Sequence, residues 1–245
     1  MTGKNKKISV SINKTNLMKL LIFTNEEERK RCSKYLDLKG VAFHALLINA
    51  LGLNEKGKIE YKLVADVYKY DKELRNRLYK FIASFEEQLR AFIANSYSNG
   101  LEALKLGEKI NYNLNIGNNI ANELENLDFK QLLTIINNFN VKILNRMFPD
   151  YKNKQQIIQN LKALKELRNA ISHHRIILLY NDYKDCYING IKQNDLSSNI
   201  QNLVNLIDEY YKGYLIDSIN NAIINDDGTN LAVPEHLIIK LDVNQ

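Results

Sequence analysis

The sequence predicts an all-α fold, and three observations carry that expectation. Only 2 of 245 residues are proline and 10 are glycine, too few to punctuate the many turns of a sandwich or barrel. Apolar residues recur at every third or fourth position over long stretches, the period of one helix face. Hydrophobic residues at 45% and charged residues at 25% give the balance of a globular chain, so general disorder is excluded. No internal repeat and no linker-like stretch divides the chain. It is read as a single helical domain, with an N-terminal helical part over about 1–60, a core over about 61–224 and a tail at 225–245. The 34 asparagines are spread evenly rather than in tracts, which points to coding bias and not to low complexity.

The elements follow in order. Thr24-Asn25-Glu26-Glu27 reads as a capping box opening a helix that carries Cys32, Tyr35 and Leu36 and stops at Gly40. A short apolar segment, Val41 to Leu51, precedes the turn Asn54-Glu55-Lys56-Gly57. The clearest period runs from Tyr61 to Tyr97 through Val64, Val67, Asp71, Leu74, Leu78, Phe81, Phe85, Leu89 and Phe92. That run is one long helix or two abutting near Asp71. Residues 107–122 are polar and read as a loop, after which Asp128 caps a helix through Leu132, Leu133, Ile136 and Leu144, ending before Pro149. The next helix starts near Lys154, with Ile157, Leu161, Leu164, Arg168 and Ile171 on one face. Ile176 to Tyr187 suits an extended or a helical conformation. A last amphipathic helix spans about Asn199 to Ile224, Asp226-Asp227-Gly228 turns, and the following VPEHLIIKL has no assignment.

Several function classes drop out. Cys32 and Cys186 cannot build a disulfide framework, and neither has metal-like neighbours. There is no HExxH, CxxC, GxxxxGK(S/T) or Gly-x-Ser-x-Gly pattern, so zinc hydrolysis, phosphate-loop and elbow-serine chemistry lack support, and no cofactor or metal is expected. No apolar run approaches the roughly 20 residues of a bilayer span, and none of signal-peptide length follows the basic N-terminus. A cytoplasmic protein with no membrane partner is expected.

The formal net charge of +6 is localised. From Phe139 to Arg175 stand Lys142, Arg146, Lys152, Lys154, Lys162, Lys165, Arg168 and Arg175, opposed only by Asp150 and Glu166. The last fifty or so residues are acidic. A basic middle segment is what contact with a phosphate backbone requires, and a solvated helix face is the plain alternative.

Two of the four histidines sit at the end of that segment, in Leu167-Arg168-Asn169-Ala170-Ile171-Ser172-His173-His174-Arg175. Arg168 on an apolar seam is expensive unless an anion or partner meets it. Asn169 and His173, four apart, share a helix face on which the amide can orient the imidazole. Arg168 and His173 lie about 140° apart on an ideal helix. They converge only if the helix ends or bulges near Ser172, or if two chains share the site. The pairing suits phosphodiester cleavage: a guanidinium holds a non-bridging phosphate oxygen, and an imidazole moves protons near neutral pH. A histidine that merely caps the helix end is the bland reading. Upstream, Asp71 with Arg75 and Glu86 with Arg90 stand at one-turn spacing and read as structural ion pairs bracing a bundle.

Arg168-Asn169-x-x-x-His173 resembles the Arg-polar-x-x-x-His signature of HEPN ribonucleases, and LRNAISHHRI resembles the corresponding stretch of Abi-like (AbiD/AbiF type) abortive-infection proteins. A second match lies upstream, where Asp71, Leu74, Arg75, Glu86 and Arg90 stand as in that family's Asp-x-x-Leu-Arg and Glu-x-x-x-Arg segment. The N-terminal part departs from it, reading VAFHALLINA where a Tyr-Tyr-x-Leu-like stretch belongs. The resemblance implies a HEPN-like helical bundle with additional N-terminal helices. It also implies a metal-independent endoribonuclease of phage defence or toxin type, using the RNA's own 2′-OH as nucleophile. The Arg and His of two copies would meet across a homodimer interface, and a non-coding RNA partner would restrain the toxin. Arg168, Asn169 and His173 are then the catalytic candidates, and His174, Arg175, Lys162, Lys165, Lys142 and Arg146 the RNA contacts. Tyr180, Tyr183 and Tyr187 suit base stacking or packing. The competing reading is a catalytically silent scaffold holding a structured RNA through residues 139–175. A DNA-binding regulator finds no recognition helix.

Overall fold

The computed structural model describes residues 8, 9, 11–97, 124–151 and 153–242. Among them the chain is mostly helical, with nine α-helices and two two-stranded sheets. The expected loop at 107–122 and Lys152 lie outside the described residues. No described helix is long and apolar enough to cross a membrane. The chain divides into two compact units, 1–74 with 221–238 and 75–220 with 239–245.

In the first unit, α1 (Lys14–Lys19) starts where the Asn13 side chain accepts from the Asn16 amide. Next come β1 (Leu21–Ile22), α2 (Glu26–Lys39) and α3 (Val41–Leu51). The cap of α2 is shifted one residue from the expected box. Asn25, with extended backbone, caps through its side chain at 2.8 Å from the Glu28 amide, and the Glu28 carboxylate accepts from the Thr24 amide and hydroxyl. Asn is a stronger N-cap than Thr, so the register that places Asn25 at the cap wins. Gly40 ends α2 at φ +88°, as expected. The unassigned apolar run is α3, which buries Ala45, Leu47 and Ile48 completely. After the expected turn, where the Asn54 side chain accepts from the Lys56 and Lys58 amides, β2 (Ile59–Glu60) pairs parallel to β1, Leu21 opposite Ile59.

The long apolar period is one helix, α4 (Tyr61–Tyr97). Its buried line runs through Val64, Val67, Leu74, Leu78, Ile82, Phe85, Leu89 and Ile93, while Phe81 and Phe92 are only half-buried. A 3.6-residue turn drifts against a fixed three-four spacing, so over 37 residues the buried line rotates away from positions 81 and 92.

In the second unit, α5 (Phe129–Ile136) opens on the expected Asp128 cap, a full capping box with Gln131. The helix does not continue to Leu144. It stops at Asn137, and the short α6 (Val141–Leu144) restarts from Asn140, whose side chain accepts from the Ile143 amide. Three asparagines in Asn137-Asn138-Phe139-Asn140 compete with the helical ladder through their own amides. Phe92 of α4 meets Phe139 edge-on at 5.8 Å, and Phe85 meets Phe148 at 6.5 Å.

Helix α7 (Lys154–Ser172) is capped by Asn153 and followed by a 3₁₀ turn, Ile177–Leu179. Then come β3 (Cys186–Ile188) and β4 (Ile191–Gln193), an antiparallel hairpin that sequence periodicity missed. Its Asn189-Gly190 loop has φ +51° and +78°, the pair of positive values that a tight two-residue hairpin loop needs. Asn160 of α7 grips β3 like a neighbouring strand: Oδ1 accepts from the Tyr187 amide at 2.7 Å and Nδ2 donates to its carbonyl at 3.0 Å. Asn202 of α8 (Leu196–Leu206) donates to the Asn160 carbonyl at 2.8 Å. The expected last helix is therefore two, α8 and α9 (Glu209–Asn220), broken where Ile207 turns extended and Asp208 accepts from the Tyr210 amide. The unassigned tail includes a 3₁₀ turn at Glu235–Leu237, and the Asn220 side chain holds the Leu241 backbone at both polar atoms.

Candidate functional site

The site is built on the C-terminal turn of α7. That helix is fixed by its buried line, Ile157, Leu161, Leu164, Leu167 and Ala170, and by the Asn160 bonds. Arg168 does not continue the buried line as expected. It flanks it, with its side chain 34% exposed, because the buried line advances in three-residue steps from Leu161 through Leu164 and Leu167 to Ala170, which leaves position 168 at its edge. The cost of a buried guanidinium is thereby avoided.

What holds Arg168 is Glu86 of α4. Arg168 Nε lies 3.2 Å from Glu86 Oε1, and Arg90 Nη2 lies 3.7 Å from Glu86 Oε2. The Glu86 carboxylate is only 12% exposed, so the contact is partly shielded from water and salt. Arg90 in turn donates Nε to the Leu124 carbonyl at 3.2 Å and Nη2 to the Leu127 carbonyl at 3.0 Å. The expected Glu86–Arg90 pair is thus present, extended to a third charge. One carboxylate stands between two guanidiniums, leaving the cluster net positive. Among the described residues the two terminal nitrogens of Arg168 have no partner, so its fork remains open for an oxyanion.

The helix ends at Ser172. His173 is the C-cap, its amide donating to the Asn169 carbonyl at 2.9 Å. The His174 amide donates to Ile171 and the Arg175 amide to Ala170, both at 3.0 Å, which closes a Schellman motif. His174 occupies the left-handed position at φ +54°, where glycine is the usual choice. This closure turns His173, His174 and Arg175 out into solvent, and all three are exposed. A helix C-terminus presents carbonyls, so an anion here must be held by side chains and not by the backbone. The Asn169 side chain does not orient the His173 ring as expected. The link between them is the main-chain bond, and the half-buried amide makes no hydrogen bond among the described residues.

Arg175 lies with its guanidinium carbon 4.7 Å from the centre of the Tyr180 ring. The Tyr180 hydroxyl donates to Glu166 Oε1 at 2.9 Å; burial and this carboxylate raise its pKa, so it stays a donor. Tyr183 packs edge-on against Tyr180 at 4.8 Å, is buried, and donates its hydroxyl to the Ile177 carbonyl. Tyr187 is half-buried beside Asn160. Of the two uses open to these tyrosines, the structure shows packing for Tyr180 and Tyr183.

The remaining basic candidates are dispersed. Lys165 is half-buried on α7, three residues before Arg168. Lys162 lines a different cleft of about 500 Å³ with Lys154, Asp185 and Lys192. Lys142 and Arg146 are exposed on and just after α6. Asp71 and Arg75 are both buried on α4, at 0% and 7% exposure, a burial that charges sustain only when partnered.

Sequence reasoning missed the Glu86–Arg168 contact and the left-handed His174. No local signal encodes the first, since the residues are 82 apart. The second is implied by a helix that must stop before Arg175 with no glycine or proline to stop it.

Compared with protein-family models, with curated proteins and with solved structures, the chain matches none.

Proposed function

We propose that this chain is a metal-independent endoribonuclease whose site is the end of α7, of the HEPN type that the motif resembles. One observation carries the reading. Arg168 is fixed through Nε by Glu86 while its terminal fork stays open, and the helix stops so that His173 is exposed five residues later. In this reading Arg168 binds a non-bridging phosphate oxygen and stabilises the charge that develops at phosphorus. His173 takes the proton from the RNA 2′-OH or gives one to the leaving 5′-oxygen. The 2′-oxygen–phosphorus bond forms as the phosphorus–5′-oxygen bond breaks, which yields a 2′,3′-cyclic phosphate and a 5′-hydroxyl.

One imidazole serves as base or as acid in a given turnover. A second copy of the chain supplies the other, and this is the reason to expect a homodimer acting at a composite site. His174 and Arg175, exposed at the same turn, contact the substrate backbone. A role in abortive infection or as a toxin, with a non-coding RNA as restraint, follows from the motif resemblance and belongs to the same proposal.

The test is incubation of purified protein with mixed cellular RNA in EDTA, beside His173→Ala, with the fragment ends mapped. Fragments ending in 2′,3′-cyclic phosphate, made by the wild type and not by the variant, are the expected result. RNA that is bound equally by both proteins and cut by neither, after co-purifying RNA is stripped away, overturns the enzyme in favour of the RNA-holding scaffold. In that case the exposed Lys142, Arg146 and Lys162 carry the binding.

A further inference from the structure

The first compact unit holds a cavity of about 530 Å³ that the ribonuclease reading does not use. Among its lining residues is His44 of α3, 4% exposed. The His44 ring lies nearly parallel to that of Tyr68 of α4, 18° between planes with centres 6.2 Å apart. Tyr35 of α2 lines the cavity too and is exposed.

The imidazole has a defined polarity. Its Nδ1 is 3.2 Å from the Gly40 carbonyl, and a carbonyl can only accept, so Nδ1 carries the proton. Burial holds the ring's pKa below its ordinary value, outweighing the Gly40 bond, so the ring is neutral at physiological pH. Nε2 is then a bare lone pair with no partner among the described residues. That nitrogen is not sealed from solvent, and an N–H from a planar ligand would take the place of water on it.

The charge around the cavity has the opposite requirement. Five cationic side chains line it against three carboxylates. None of those carboxylates is free: Glu28 accepts from the Thr24 amide and hydroxyl, Asp66 meets Lys62 at 2.6 Å and the Ala232 amide at 2.9 Å, and Glu73 is partnered as well. Lys69 donates to the Asn225 side chain at 2.6 Å. Lys39, at the end of α2, and Lys72 of α4 are exposed and have no partner among the described residues. A volume of this size is in the range of small-ligand sites.

We propose that this cavity binds a free nucleoside monophosphate whose base bears an exocyclic amine. The amine donates to His44 Nε2, the base lies against the Tyr68 and Tyr35 rings, and Lys39 and Lys72 meet the phosphate. The site lies apart in sequence from Arg168 and His173, so it stands or falls independently of the ribonuclease reading.

The test is calorimetric titration of the full chain, freed of nucleic acid, with AMP, GMP and CMP. The best binder is then compared with its own nucleoside and with Lys39→Ala/Lys72→Ala. Saturable binding by at least one monophosphate is expected, weakened tenfold or more by removing the phosphate and by the double substitution. Both lysines are exposed, and an unchanged melting temperature shows that the variant folds. Purine riboside 5′-monophosphate, which lacks the amine, is expected to bind tenfold or more weaker than AMP where AMP is the ligand. Absence of saturable binding up to millimolar concentration, or affinity untouched by the lysine substitutions, overturns the proposal.

Discussion

Glu86 Oε1 accepts from Arg168 Nε at 3.2 Å, joining the middle of one helix to the last turn of another. The carboxylate takes the edge of the guanidinium nearest the chain and leaves the outer fork unengaged among the described residues. This is the orientation in which an arginine can grip a phosphate without having to reorganise. Arg90 on the other side of Glu86, itself held by two backbone carbonyls, keeps the carboxylate in place.

Replacing Glu86 by Gln keeps the shape and removes the charge. The Arg168 fork loses its restraint while the local charge becomes more positive. RNA affinity is expected to hold or rise slightly, and cleavage to fall about 10- to 100-fold, the cost of misplacing a catalytic group by about an ångström. Filter binding and end-labelled cleavage measured side by side check this. Equal losses in both would show that Glu86 only supports the fold.

His174 sits at φ +54° to close the Schellman motif. An L-residue there costs about 1–2 kcal/mol relative to glycine. His174→Gly is therefore expected to raise stability by about 1 kcal/mol, a melting shift of roughly 2–4 °C for a chain of this size. His174→Val, branched at Cβ, is expected to lower it. If the histidine serves RNA, the more stable glycine variant binds or cleaves RNA less well. Thermal melts and RNA binding on the same samples give both readings.

Burial lowers the pKa of His44 below 6.5 in the folded chain. Below 6.5 the unfolded chain therefore binds a proton that the folded chain refuses, and stability falls as pH falls through that window. The loss ends once pH drops below the folded value, because both states are then protonated. Urea melts from about pH 7.5 to about pH 5 are expected to show this slope, and His44→Gln to flatten it. An equal slope in both proteins assigns the acid sensitivity elsewhere.

The hairpin behind α7 depends on its loop. Gly190 at φ +78° has nothing within 4 Å of an added Cβ, so the cost of Gly190→Ala is purely conformational. About 1 kcal/mol is expected. A urea midpoint shift without a change in slope is the expected signature. No shift at all would mean that the hairpin contributes little to the fold of the second unit.

Much of the fold was legible because it is written locally. Asp128 caps α5, Gly40 stops α2, α7 starts beside Lys154, and Asp226-Asp227-Gly228 turns. Each is a short-range contest between a side chain and its own backbone, decided within a turn or two of chain. The errors were of boundary and continuity. Asn25 displaced Thr24 as the cap, Asn137 and Asn140 split α5 from α6, and Ile207-Asp208 split α8 from α9. In the first case the better capping side chain took the orphan amide, and in the other two a polar side chain interrupted a continuing apolar period. The Asn189-Gly190 hairpin was encoded as plainly, but its strands are three residues each, too short for alternation to register.

The sequence by itself determined the helical class, most helix starts, the concentration of positive charge before Arg175, and the Arg168–His173 spacing. Only the tertiary structure decided which of those charges work together. Helical spacing pairs Glu86 with its neighbour Arg90, yet Glu86 also holds Arg168, 82 residues away. The apolar period sets Arg168 on the buried seam, and the folded helix puts it at that seam's edge. His44 carried no signal in a run of apolar residues until α4 laid Tyr68 beside it. The physical reason is common to all three. A side chain's role at a site depends on which oxygen, nitrogen or ring lies within a few ångströms, and packing between distant segments chooses that neighbour after local rules have built the helices.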